Sequence, residues 1–165
     1  GGDRVEVPEH GVLFDVLDTP GHTAGHIAYH GGGVLLCGDT LFAGGCGRVF
    51  EGTNAQMLAS LERLAALPGD TLGCCGHEYT LKNLAFARAV EPGNEALAER
   101  ERAAREAREA GRPTLPFELA GELRTNPFLR CGEPAVRAAA EEHAGRALDD
   151  AVEVFGVLRD WKNRF

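Results

Sequence analysis

Val34-Leu35-Leu36-Cys37-Gly38-Asp39-Thr40-Leu41-Phe42 runs from four apolar residues into a glycine and a carboxylate. A short apolar run bounded by turn residues reads as a buried strand. The polar residue just past its end stands where loops carry chemistry. The same pattern recurs on both sides. Downstream, Thr71-Leu72-Gly73-Cys74-Cys75 ends at Gly76-His77. Upstream, Val12-Leu13-Phe14-Asp15-Val16-Leu17 ends at Thr19-Pro20-Gly21-His22, and Ile27-Ala28-Tyr29 is closed by Gly31-Gly32-Gly33. Before Thr71 the period changes. Met57, Leu58, Leu61, Leu64 and Leu67 recur at helical spacing, opened by Thr53-Asn54-Ala55-Gln56 and stopped by Pro68-Gly69. Thr53 can cap the first turn while Gln56 reaches back, the pattern of a capping box.

Beyond His77 the pattern is helical. Residues 81–90 form one expected helix, ending near Pro92-Gly93. Residues 95–110 are dense in Glu, Arg and Ala, with Leu97 their one large apolar side chain, and read as a solvated helix with i,i+4 ion pairs. Residues 134–143 and 150–162 are two more, the last with Val154, Leu158 and Trp161 on one face. The expected organisation is strands with helices to about Arg88 and helices only after it, with no internal repeat.

The 165 residues suffice for one domain or two small ones. A 44% hydrophobic and 25% charged composition is ordinary for a globular chain, and no apolar stretch is long enough to span a membrane. The first residues lack the character of a secretory signal and an initiator Met, so the sequence reads as the middle of a longer chain. The net charge of -8 argues against nucleic-acid binding, which needs a basic footprint. Among 17 basic residues all but Lys82 and Lys162 are Arg, whose planar fork suits carboxylates. The five cysteines, Cys37, Cys46, Cys74, Cys75 and Cys131, contain no C-x-x-C pair and read as reduced thiols of a cytoplasmic protein.

Three segments set a His or Asp beside a Gly just after a strand: Thr19-Pro20-Gly21-His22-Thr23, Gly38-Asp39-Thr40-Leu41-Phe42 and Gly76-His77-Glu78-Tyr79. Imidazole and carboxylate are zinc ligands that also suit iron and manganese. On adjacent strand ends the three could converge on one point, with the carboxylate able to bridge two cations. A single Gly-His is more often structural. In this order and spacing, however, the segments resemble the last three metal-ligand motifs of the metallo-β-lactamase superfamily. That resemblance implies His22 on a first metal, Asp39 bridging both and His77 on the second. It makes His26 a neighbour and not a ligand, and Thr19-Pro20-Gly21 argues for a loop in place of a helical H-x-x-x-H site. His10, His30 and His143 have no convergent partner.

The likeness narrows with the continuation Ala43-Gly44-Gly45-Cys46-Gly47-Arg48 and with Leu81-Lys82-Asn83-Leu84-Ala85-Phe86-Ala87 after Gly76-His77-Glu78-Tyr79-Thr80. Glu91-Pro92-Gly93-Asn94, Pro113-Thr114-Leu115-Pro116 and Thr125-Asn126-Pro127-Phe128-Leu129-Arg130 extend it. Together they resemble glyoxalase II, the hydroxyacylglutathione hydrolases, across nearly the whole chain. The fold this implies is α/β: the C-terminal half of an αβ/βα metallo-β-lactamase sandwich over residues 1–88, then a small all-α glutathione-binding domain over 89–165. The implied glutathione contacts are Arg48, Tyr79, Arg159 and Lys162, the last two matching an Arg-x-x-Lys pattern. Three residues apart on a helix, they can face one ligand. Phe50 stands where family members often carry a Tyr that reaches glutathione. It keeps the ring but lacks the hydroxyl, removing one hydrogen bond worth about 0.5–1.5 kcal/mol net.

The implied reaction is hydrolysis of S-(2-hydroxyacyl)glutathione thioesters such as S-D-lactoylglutathione, by water activated at a binuclear zinc site. The one serine, Ser60, lies inside the Met57–Leu67 helix pattern, which argues against a Ser-His-Asp mechanism. The superfamily's H-x-H-x-D-H signature does not occur in this sequence, and three ligands cannot fill two coordination shells. The chain by itself is therefore expected to bind metal weakly and hydrolyse little, and to self-associate through an incomplete sheet. The alternatives are a non-catalytic glutathione-binding or partner-dependent fragment, or a related hydrolase or persulfide dioxygenase. The Arg-x-x-Lys and Asn-Pro-Phe-Leu-Arg segments argue against the last.

Overall fold

The computed structural model describes residues 1–165. The apolar runs become β2 (Val12–Asp18), β3 (Ile27–Gly31) and β4 (Val34–Gly38), an antiparallel meander, with β1 (Arg4–Val7) paired outside β2. The chain then leaves the sheet through a small hairpin, β5 (Leu41–Phe42) and β6 (Gly45–Cys46), and through α1 (Asn54–Ala65). It returns as β7 (Leu72–Cys75), parallel to β4. A parallel pair requires such a crossover. The α1 capping box is formed in both directions: Gln56 N–H donates to Thr53 Oγ1 at 3.1 Å and Thr53 N–H to Gln56 Oε1 at 2.9 Å.

Five helices follow: α2 (Thr80–Val90), α3 (Glu95–Glu109), α4 (Leu119–Thr125), α5 (Pro134–Ala144) and α6 (Ala151–Arg164). The expectation of helices alone after residue 88 is corrected by β8 (Phe117–Glu118), which pairs antiparallel with β7 and gives the sheet order β1-β2-β3-β4-β7-β8. Two residues are too short to show a period of two, so β8 exists only because β7 offers an open edge. α4 escaped the pattern for a similar reason: seven residues with Gly121 inside carry little helical signal.

One hydrophobic cluster of 22 buried residues runs from Ala28, Leu35 and Cys37 on the sheet, through Met57, Leu61 and Leu64 of α1, to Phe155 and Leu158 of α6. The helical tail therefore packs on the same core as the strands. Within it Phe128 stacks on Phe86 at 5.9 Å and meets Phe155 edge-on at 5.7 Å, geometries that add to simple burial. Cross-strand partners share a face, so Val16, Tyr29, Leu36 and Cys74 lie opposite this core. On that side Ile27, Leu36 and Leu72 remain exposed. The α/β architecture is thus one sheet with helices packed on one face, followed by a helical tail. No helix is long and apolar enough to cross a membrane.

Candidate active site

Parallel pairing of β4 and β7 puts their C-terminal ends on one edge of the sheet, and Asp39 and His77 lie just beyond those ends. His22 arrives differently. It lies in the β2–β3 loop, and β3 separates β2 from β4, so the three strand ends are not all adjacent, contrary to the expectation from sequence. The loop folds across instead. Thr40 and Thr19 join their hydroxyls at 3.1 Å in the interior, and Phe50 N–H donates to the His22 carbonyl at 3.2 Å. Gly76 permits the close approach of the last loop, since a Cβ there would lie 2.4 Å from Asp39 Oδ1.

His22 Nε2 lies 3.6 Å and His77 Nε2 3.5 Å from the same oxygen, Asp39 Oδ2. His22 Nδ1 is 2.8 Å from the Arg48 carbonyl. A carbonyl only accepts, so Nδ1 carries the proton and Nε2 presents its lone pair toward Asp39. His26 is not a fourth member of this set: its Nε2 accepts the Asp39 backbone N–H at 3.2 Å. Burial pushes the His26 imidazole below its ordinary value, reinforced by His22 and opposed by Asp39. A neutral ring suits an acceptor.

These residues fit a metal pair better than one ion. No three His, Cys, Asp or Glu groups meet tightly enough to hold a single cation, and the three side chains come together as two imidazoles about one carboxylate oxygen. Each imidazole instead forms its own pair with the shared carboxylate oxygen. Two ligands at ~2.1 Å from a tetrahedral cation are about 3.4 Å apart, close to both observed separations. The donor set, two imidazole nitrogens and one bridging-capable carboxylate, suits zinc, iron or manganese.

All eight residues singled out from sequence, His22, Asp39, Arg48, Phe50, His77, Tyr79, Arg159 and Lys162, line one cleft of about 430 Å³. Tyr79 stacks on His77 with ring centres 5.0 Å apart, and Phe50 meets His22 at 5.1 Å. Lys82, Asn83 and Cys46 also line it, and sequence reading gave them no role. Eight arginines elsewhere carry ion pairs; Arg48, Lys82, Arg159 and Lys162 have none, as is also true of Arg63, Arg102, Arg112, Arg124 and Arg164 outside the cleft, but these four share one lining. The cleft thus concentrates unneutralised positive charge in an acidic protein. Arg159 is 5% exposed, donates to the Cys46 carbonyl at 2.9 Å and lies over the Phe128 ring, with its Nε left unpaired. Lys162 donates to the Lys82 carbonyl at 3.2 Å. Burial lowers its pKa to about 8, helped by Arg159 and Lys82 and opposed by Cys46. A larger groove of about 990 Å³ lies among α2, α5 and α6. It shares no lining residue with the cleft, and its Arg130 is already tied to both oxygens of Glu91.

Comparison with known proteins divides the chain after residue 77. Residues 78–165 match the family described as hydroxyacylglutathione hydrolase C-terminus, and residues 1–77 match the metallo-beta-lactamase superfamily. A hydroxyacylglutathione hydrolase of Nitrosomonas eutropha is 56% identical over 165 residues, covering all of this chain and 65% of the relative. One of Halorhodospira halophila is 61% identical over 163 residues, covering 99% of this chain and 64% of the relative. The chain therefore spans just under two thirds of the length of these relatives. Among solved structures, ETHE1 from Myxococcus xanthus superposes with a TM-score of 0.58 at 28% identity, over 97% of this chain and half of the other. A metallo-beta-lactamase from Staphylococcus aureus has a TM-score of 0.54 at 19% identity over 96% of this chain and 41% of the other, a likeness of fold alone.

Proposed function

The chain belongs to the hydroxyacylglutathione hydrolase C-terminus family, and from that membership we propose that it serves the hydrolysis of S-(2-hydroxyacyl)glutathione thioesters at a two-cation site held in part by His22, Asp39 and His77. The observation that carries this is the shared Asp39 oxygen between two imidazoles, beside a cleft of unpaired cations. Water adds to the acyl carbon, the carbon–sulfur bond breaks, and the products are a 2-hydroxy acid and the glutathione thiol. When bound, a zinc pair lowers the pKa of water and polarises the carbonyl; iron and manganese suit the same donors.

The residues of this chain do the positioning. Arg48, Lys82, Arg159 and Lys162 meet the two carboxylates of glutathione with charge-assisted hydrogen bonds. Tyr79 offers its hydroxyl beside His77, while Phe50 and Phe42 flank the imidazoles of His22 and His77. Arg48, Tyr79 and Lys82 lie before residue 88 and Arg159 and Lys162 after it, so in this reading both parts of the chain meet the ligand around a single core. The non-catalytic alternative is not favoured, because the relatives carry the name of a hydrolase.

The test joins zinc content to turnover of S-D-lactoylglutathione. Three ligands cannot complete two shells, so we expect fewer than two tightly held zincs per chain and low turnover that rises with added zinc and disappears with chelator. Turnover indifferent to chelator, or none at saturating zinc with glutathione failing to bind, would sink the proposal.

We also propose self-association through the open face of the sheet. Ile27, Leu36 and Leu72 expose apolar surface there, and such patches commonly mark contacts. Sedimentation should give a concentration-dependent dimer or larger species, weakened by Leu36→Lys. A monomer at all concentrations would refute it.

A further inference from the structure

The β5–β6 hairpin joins two parts of the site, with Asp39 before it and Arg48 after it. Residues 41–47 are all buried, so their peptide groups must find partners inside the protein. Residue pairing within the hairpin covers only Leu41 with Cys46 and Phe42 with Gly45. Side chains of the helical tail meet much of what remains. Asn83 donates to the Ala43 carbonyl at 3.1 Å. Asn126 shares its two N–H hydrogens among the Phe42 and Gly45 carbonyls and Glu122 Oε2. Gly44 N–H donates to Glu122 Oε2 at 2.8 Å.

Glu122 is the one carboxylate among these groups, and it is fully buried. Its other oxygen pairs with Arg100, which also donates to Thr125 Oγ1 at 2.6 Å. A carboxylate is tolerated in such a place only when its lone pairs are engaged, and here Gly44, Asn126 and Arg100 engage them. What the hairpin controls follows directly. Gly47 N–H donates to the Thr40 carbonyl at 3.2 Å. Gly47 also lies so close to Asp39 that a Cβ would sit 2.0 Å from the Asp39 carbonyl oxygen. The next residue, Arg48, supplies the carbonyl that holds the His22 proton on Nδ1.

We propose that Glu122 is a positioning residue of the active site: through Gly44 and the β5–β6 hairpin it holds the Arg48 carbonyl against His22 Nδ1, so that Nε2 stays free to bind a cation. The hydrolase reading enters only in taking His22 as a ligand. An outer group that orients a metal-binding histidine typically governs 10–100-fold in metal affinity.

The test uses Glu122→Gln and Glu122→Asp in the full chain. The first removes the charge; the second keeps the charge and allows the Arg100 pair but withdraws the carboxylate from Gly44 by one methylene. At about pH 8, well above the ordinary imidazole value, ring ¹⁵N shifts report the His22 tautomer, and competition with a chromophoric chelator reports zinc affinity. The parent chain should show the Nδ1–H form. Both variants, folded by circular dichroism, should show mixed tautomers and ~10–100-fold weaker zinc binding. A parent chain without that tautomer would overturn the proposal. So would folded variants that lose only thermal stability, or failure of both to fold, which would assign Glu122 to stability alone. Neither readout needs turnover, so absence of thioester hydrolysis in every chain would count against the proposed reaction and leave the positioning result standing.

Discussion

Replacing Asp39 with asparagine is expected to remove most of the zinc the chain takes up, and thioester hydrolysis with it. Asp39 Oδ2 lies within 3.6 Å of both His22 Nε2 and His77 Nε2. Asparagine has nearly the same shape, so packing around Gly76 and Gly47 should survive. It lacks the negative charge and the second equivalent oxygen, and its NH₂ group would face the two nitrogen lone pairs. The loss should exceed the ~10–100-fold that follows removal of an outer-shell partner. Zinc competition and initial rates on the same samples measure it. Zinc affinity within threefold of the parent would mean that Asp39 does not bridge anything, and the two-cation reading would go with it.

Lys162→Met should weaken glutathione binding by about 10–100-fold, the equivalent of one charge-assisted hydrogen bond at about 1.5–3 kcal/mol. Its pH dependence is the sharper signature. Burial holds the Lys162 pKa at about 8, below the ordinary lysine value of 10.5. The side chain is therefore charged below pH 8 and loses its charge as pH rises through that value. Affinity for a ligand held by its carboxylates should fall over the same range. Stability should move the other way: between pH 8 and 10.5 the unfolded chain holds a proton at this lysine that the folded chain has released. Stability rises with pH wherever the unfolded state binds more protons, so the empty chain should become more resistant to urea across that window. Calorimetric titration with glutathione and urea midpoints at several pH values check both slopes. If the slopes persist unchanged in the Met variant, they belong to another group and Lys162 is not the cation that meets the ligand.

The long elements were legible because their periods were long enough to repeat. β2 and β4 appeared as apolar runs, and α1 carried a complete capping box that the structure forms in both directions. β8, α4 and the β5–β6 hairpin were not legible. Strands of two residues, and a helix of seven with Gly121 inside it, exist through their partners and not through their own propensities. Lys82 and Asn83 escaped notice for a related reason. They occupy the first turns of α2 and reach the cleft only because that helix starts three residues after His77.

By itself the sequence determined which chemistry is present: two histidines and an aspartate placed after strand ends beside glycine, and a tail whose motifs identify its family. Those are local features, set by residue type and spacing. Tertiary structure decided how the features act. It arranged His22 and His77 as two pairs around one Asp39 oxygen, set the Arg48 carbonyl against His22 Nδ1, and buried Glu122 against the hairpin between Asp39 and Arg48. The physical reason is that these roles belong to backbone carbonyls, amides and buried charges whose partners lie 26 and 78 residues away. No pattern within one stretch of chain records such a pairing, because only closure of the core brings the two sides together.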